Sequence, residues 1–289
     1  MPPKPLRVVK LPKLLTVGWS NKLLELCDAA ILHDGPTAFD FEKVEWAAPF
    51  GLTTVSVSLA RCLRKPYPVH FIPPKARRFA EYLERIGFEY HFLKGGAVAH
   101  RKTSLELKRL SAADPLVSQL LSDLIGENLR LSEDSVYEMR THLNELMTNG
   151  FDHSGSPVGC FVCAQWYPAK QNLRISFADG GIGIQAALRS SGKYPEVVSD
   201  ASAIRLAVKR GVTSRKKQIG GFGLDFIRMY VRNNAGTMTI LSGDAKVNFY
   251  PAKIEVKKNP TPFKGTIVDI RVFPKRSRHP VKRKYDDLF

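Results

Sequence analysis

Apolar and polar positions follow two different periods along this chain, and each period predicts an element type. Between Ser20 and Leu32 the apolar residues Leu23, Leu24, Cys27 and Ile31 recur at helical spacing, with Ser20 as the N-cap. Ala38-Phe39-Asp40-Phe41 and the residues to Trp46 read as a strand. Pro49-Phe50-Gly51 reads as a break, after which Leu52 to Leu63 forms an apolar helix. Val69 to Ile72 is a short buried strand stopped by Pro73-Pro74. Ala76 to Ile86 is a helix stopped by Gly87, followed by Glu89-Tyr-His-Phe92. Strands alternating with helices predict a small α/β sheet with helices on one face.

Further on, Asp114-Pro115 opens a helix through Leu124, since proline suits a first turn. Val136, Met139, Leu143 and Leu146 form the inward stripe of another, from Ser135 to Phe151. Gly159–Tyr167 and Asn172–Ala178 alternate as paired antiparallel strands joined at Pro168–Gln171. Gln185 to Lys217 is a long stretch with one helix, Ala201 to Arg210. A helix then runs to Val231, followed by strands at Thr237–Ser242, Lys246–Val256 and Gly265–Pro274. The organisation expected is a Pro- and Lys-rich arm (1–13), a first domain (14–105), a polar, basic connector (106–113), a second domain (114–274) and a basic tail (275–289).

Composition changes this picture in one respect. A chain of 289 residues can bury two cores, and its hydrophobic and charged fractions, 44% and 25%, are ordinary for a globular protein. The net charge of +17 is not ordinary, and it predicts attraction to nucleic acid, an anionic surface or acidic partner proteins. Six Lys/Arg between Lys275 and Lys284 make the tail basic, but without the aromatic interleaving that stacks bases.

No apolar run approaches the ~20 residues of a membrane span. Lys4, Arg7, Lys10 and Lys13 interrupt any signal-peptide core. Cys160 and Cys163 have the spacing of a metal knuckle, but no second Cys/His pair accompanies them. Buried thiols in a reducing cytoplasm are the better reading, and the expected location is cytoplasmic.

The candidate chemistry begins on the second domain's central helix. Glu145 and Asn149 lie four apart, so a carboxylate and a carboxamide share one face. Such a pair can orient a water or hold a divalent cation. The strand ending at Ala178 runs into Asp179-Gly180-Gly181-Ile182-Gly183, where glycines admit a ligand close to the backbone beside a fixed acceptor. Gly220-Gly221-Phe222-Gly223-Leu224 precedes a helix, whose first amides suit phosphate. The P-loop pattern is absent, because Gly192-Lys193 is followed by Tyr194. Gly181-x-Gly183-x-x-Ala186 matches the dinucleotide fingerprint, but Asp179 would repel a pyrophosphate there.

Glu145-x-x-x-Asn149-x-x-Asp152, Asp179-Gly180-Gly181-Ile182-Gly183, Gly220-Gly221-Phe222-Gly223-Leu224 and Gly265-Thr266 stand in the order and spacing of the GHKL ATP-binding superfamily. That group includes gyrase B, MutL, histidine-kinase catalytic domains and anti-sigma-factor kinases. The resemblance covers about 112–275 and is closest to the anti-sigma branch, through Glu145-Leu-Met-Thr-Asn149 followed by Asp152-His153-Ser154. It implies a Bergerat α/β sandwich with a mixed sheet and helices on one face. The first domain resembles the STAS fold of anti-anti-sigma factors over about 35–95, through Phe39-Asp-Phe41, Ala48-Pro-Phe-Gly51-Leu52 and Tyr82-Leu-Glu-Arg-Ile-Gly87-Phe88. Phe50 stands where phosphorylatable STAS domains carry Ser or Thr, which implies a docking or dimerising module. Thr53 and Thr54, just past the turn, are the alternative phosphoacceptors.

The GHKL resemblance assigns roles. Asn149 would hold Mg²⁺, and Glu145 would be the general base on a water or a substrate hydroxyl. Asp179 would accept the adenine amino hydrogen, with Thr266 joined through a water. Gly181 and Gly183 would shape the adenine end. Asp152 would belong to the same nucleotide site. Gly220, Gly221 and Gly223, with Leu224, would present amides to the phosphates. Thr213 to Lys217 would form the lid's phosphate-facing end, with Lys216 or Lys217 as its charge. His153 ends the helix, where a cation suits the dipole. The expected protein is an Mg-dependent ATPase or Ser/Thr protein kinase in a regulatory role, with a protein partner, and both halves resemble folds that often form homodimers. The alternatives are a non-enzymatic ATP-controlled switch, or a basic nucleic-acid-binding protein with an ATP-ordered lid.

Overall fold

The computed structural model of the protein describes residues 4–88, 103–213 and 223–274, with nothing given for the side chains of 149–153. The N-terminal unit runs β1 (Arg7–Lys10), β2 (Leu14–Leu15), α1 (Ser20–Leu32), β3 (Thr37–Asp40), β4 (Trp46–Ala47), α2 (Pro49–Cys62), β5 (Val69–Ile72) and α3 (Arg77–Arg85). Its small sheet has the order β1-β3-β5, parallel throughout, with α1 and α2 as crossovers. Residues 7–10 therefore belong to a sheet and not to an arm. Arg7 to Lys10 pair with Thr37 to Asp40, and only Val9 of the four is buried, so little in the local sequence marks the strand.

Pro49-Phe50-Gly51, expected as a break, is the first turn of α2. Ala48 is extended, and Pro49 takes the first helical position, where its missing N–H costs nothing. Every residue from Pro49 to Ala60 is buried. Its run Thr53-Thr54-Val55-Ser56-Val57-Ser58 has poor helix propensity, and two features override this. Burial on all sides rewards an apolar cylinder. The hydroxyls also return to the helix's own carbonyls, Thr54 Oγ1 to Phe50 O at 2.6 Å and Ser58 Oγ to Thr54 O at 3.4 Å. Phe50, Thr53 and Thr54 are fully enclosed, so neither threonine is open to a phosphoryl donor.

The second half runs β6 (Ser104–Leu110), α4 (Pro115–Leu129), α5 (Glu133–Ser154), β7 (Cys160–Tyr167), β8 (Asn172–Asp179), α6 (Ile184–Ser190), α7 (Asp200–Ala207), α8 (Gly223–Asn233), β9 (Thr237–Phe249) and β10 (Ile254–Val272). The large sheet has the order β6-β7-β8-β10-β9. All its pairings are antiparallel, where a mixed sheet was expected; mixed character belongs to the whole molecule, α/β with one parallel and one antiparallel sheet of three or more strands. The expected connector is largely β6, paired with β7, with Leu105 and Leu107 buried on the two faces. The expected separate strands at 237–242 and 246–256 are replaced by one hairpin, β9 turning into β10 at 250–253.

α5 is longer at both ends than its apolar stripe predicts. Ser132 accepts from the Ser135 amide as N-cap, Glu133 and Asp134 suit the helix dipole, and Gly155 closes the helix in the left-handed region. α4, α5 and α8 cover one face of the large sheet, the front, in a core containing Leu121, Leu143, Ile175, Ile227 and Ile270. α1 and α2 cover the back. There Phe161, Cys163, Ala178 and Ile267 share one core with Leu15, Phe39 and Phe50, so the two halves are fused through the sheet. Among the described residues no helix is long and apolar enough to cross a membrane.

Candidate functional site

On the front, a cleft of about 910 Å³, open mouth included, lies over the end of β8 and the middle of β10. Its walls come from α5, α6, the end of α7 and the start of α8, and most of them are apolar: Met147, Phe177, Ile184, Leu188 and Val212. The lining suits a flat organic ligand with a few fixed polar contacts. Asp179, Gly183, Thr213, Leu224 and Thr266, all expected at a nucleotide site, line this one cleft.

Asp179 is the acid at its floor. The β8/β10 register sets it directly opposite Thr266, and its side chain accepts from the Gly181 amide at 2.8 Å. Only 6% of the residue is exposed. Burial pushes its carboxyl up to about 7; amide bonds from Gly181 and Thr266 and the Arg61 guanidinium pull the other way. A dry acceptor so close to neutrality can hold an amino hydrogen at one pH and offer its own proton at another. Gly181 is not free to be another residue, because a Cβ there would collide with the Ser154 carbonyl. The Ile182 amide donates to that same carbonyl at 2.7 Å, which ties the turn to the end of α5.

Glu145 stands on α5, at its contact with α8 and not among the cleft-lining residues. A Cβ on Gly223 would lie 3.5 Å from Glu145 Cβ and 3.1 Å from the His142 carbonyl, so glycine lets α8 begin tight against α5. The His142 ring stacks on Phe226 of α8 at 3.9 Å and 19°, with Nδ1 3.9 Å from Glu145 Oε2. Asn149 and Asp152 occupy the last turns of α5, but their side chains lie outside the description. Lys216, Lys217, Gly220 and Gly221 lie outside the described residues.

Three residues that shape the site were not expected. Ser242, fully buried on β9, accepts from the Ile184 amide at 2.9 Å and donates to the Gly265 carbonyl at 3.0 Å, joining α6 to the sheet. The Tyr194 hydroxyl accepts from the Thr213 amide at 3.1 Å and fixes that wall. Arg61 reaches the site's floor from behind. The sequence signals none of the three, because each acts on a distant segment.

Among the described residues no cluster of His, Cys, Asp and Glu could hold a metal ion. Cys160 and Cys163 belong to the front and back cores respectively, so their thiols cannot share one. Burial raises both thiols far above their ordinary range, as expected of inert packing residues. In comparisons with known proteins, the chain matches no protein-family model and no curated protein.

Proposed function

We propose that the protein binds ATP with Mg²⁺ and hydrolyses it or transfers its terminal phosphoryl group to a Ser or Thr of a partner protein. One observation carries this reading: a buried, amide-fixed carboxylate, Asp179, at the floor of a mostly apolar cleft walled in part by α5, the helix that carries Glu145. Adenine offers an apolar ring and an exocyclic N–H donor, which is the complement of that floor. The similarity to GHKL proteins supports the same pairing of residues with ligand. The reading of the N-terminal unit as a docking module is supported by α2, whose buried length lies against the back of the large sheet.

In this reading Asp179 and Thr266 orient the base while Phe177, Ile184 and Leu188 exclude water from its ring. Mg²⁺, held by Asn149, would neutralise the phosphate charge. Glu145 accepts the proton of the attacking water or hydroxyl, and the α5–α8 contact at Gly223 places it beside the helix start that would face the phosphates.

The test is to incubate the full chain with labelled ATP and Mg²⁺ and follow free phosphate and protein label together. Glu145→Gln is expected to bind a fluorescent ATP analogue like the wild type while turnover falls by about 10²–10⁴-fold. Unchanged turnover in this variant overturns the assignment of Glu145. No binding of the analogue by the wild type overturns the nucleotide reading itself.

A further inference from the structure

The floor of the cleft is held from its far side by one residue of the N-terminal unit. Arg61, in the last turn of α2, donates through Nη2 to the Gly180 carbonyl by a short bond and to the Lys264 carbonyl at 3.2 Å. Gly180 follows Asp179, and Lys264 lies two residues before Thr266. One guanidinium thus ties together the two segments from which Asp179 and Thr266 face the cleft as register partners. The fit behind the turn is close. A Cβ on Gly180 would meet Val158 at 2.9 Å, Arg61 Nε at 3.0 Å and Val57 at 3.2 Å. A lysine ammonium has donors enough for both carbonyls, but on a flexible stem and without the rigid plane that fixes their directions.

We infer that Arg61 is a positioning residue for base recognition, so that the N-terminal unit sets which nucleotide the cleft selects; this rests on the nucleotide reading above. The reason lies in what the base presents to Asp179. Adenine offers an amino donor, and an ionised, fixed carboxylate accepts it. Guanine offers a carbonyl at the same place, and that carboxylate repels it. A turn loosened by loss of Arg61 lets the carboxyl move. It also removes a positive charge that favours the ionised form of Asp179, and so favours the protonated acid that can donate to a guanine carbonyl. Loss of Arg61 therefore relaxes the choice between the two bases, an effect distinct from loss of stability.

The experiment measures displacement of a fluorescent ATP analogue by ATP and by GTP on the full chain at pH 8, where Asp179 of the wild type is mostly ionised, with thermal unfolding in parallel. The wild type is expected to prefer ATP, and Asp179→Asn to abolish the preference. Arg61→Met should lower the ATP-to-GTP preference by roughly tenfold, the worth of one charge-assisted hydrogen bond, and Arg61→Lys should recover part of it. Thr53→Val, which removes a different bond between α2 and the sheet, should lower the unfolding temperature and leave the preference alone.

A preference unchanged in Arg61→Met overturns the inference and leaves the nucleotide reading standing, whereas absent analogue binding by the wild type overturns that reading. Equal losses of preference in Arg61→Met and Thr53→Val also overturn it, because they reduce Arg61 to ordinary packing. Where Arg61→Met does not fold, Arg61→Lys decides: a preference lowered about threefold supports the inference and an unchanged one overturns it.

Discussion

The two faces of the large sheet are made from alternate residues of the same strands, yet one is sealed and the other is open at one end. On the back, Phe161, Cys163, Ala178 and Ile267 meet α2, which has no residue facing water from Pro49 to Ala60. On the front, Phe177, Ile175 and Val268 meet amphipathic helices, and a cleft walled by α5, α6, α7 and α8 opens over the end of β8 and Thr266 of β10. Each face also carries an aspartate whose carboxyl desolvation pushes up to about 7, the buried Asp179 in front and the half-buried Asp269 behind. Asp269 sits among Arg174, Arg271 and Lys246. Asp179 has Arg61 behind it and the cleft before it. A desolvated acid is thus not a site in itself; the open cleft in front of Asp179 makes it one.

The sealed face can be broken most directly at Phe50, which has no exposed surface and lies where α2 enters the shared core. Phe50→Ala is expected to cost about 3–5 kcal/mol, the range for truncating a large buried aromatic. Urea unfolding should also remain a single transition, because one core joins the two halves. A loss below about 1 kcal/mol would mean that the back face is not a packed interface.

The open face is sharpened by pH. The folded carboxyl of Asp179 titrates at about 7 against an ordinary 3.8, so between these values the folded chain holds a proton that the unfolded chain has released. Stability from this group is therefore present below the unfolded value and declines as pH rises, by up to about 1.4 kcal/mol per pH unit, levelling off above the folded value. Asp179→Asn should remove this slope while Asp269 keeps its own, so the difference between the two unfolding curves from pH 4 to 8 isolates Asp179. ATP affinity should run oppositely and rise through pH 7, because the adenine amino group needs the ionised acceptor. Parallel curves for wild type and variant would count against a carboxyl perturbed by burial.

Local periodicity accounts for what could be read from the chain in advance. Val136, Met139, Leu143 and Leu146 mark α5, and the alternation of 159–167 and 172–178 marks β7 and β8, because each pattern repeats within one element. Lys108 and Arg109 disguised β6 as a connector, since an edge strand carries charge on its open positions. Prolines disguised β1 and the start of α2, whose partners lie elsewhere in the chain. The same division runs through the site. Asp179, Gly183, Leu224 and Thr266 belong to compact motifs and were legible. Arg61 was not, because its partner Gly180 is 119 residues away, nor was Ser242, which is 58 residues from Ile184.

The smallest effect probes the seam between the halves. The Thr53 and Ser176 hydroxyls meet at 2.9 Å, 123 residues apart, in a region from which water is excluded. A valine at 53 keeps the shape and removes one partner, leaving Ser176 with an unanswered polar group in the core. Thr53→Val should therefore cost about 1–2 kcal/mol, and adding Ser176→Ala should recover part of that loss instead of adding to it. The recovery separates a specific bond across the seam from a helix weakened on its own account, because Thr53 also bonds the Phe50 carbonyl at 3.2 Å and that loss would persist in the double variant. Simple addition of the two costs would mean that α2 rests on the sheet by apolar contact alone. The back face would then be closed by shape, with its hydroxyls contributing nothing to register.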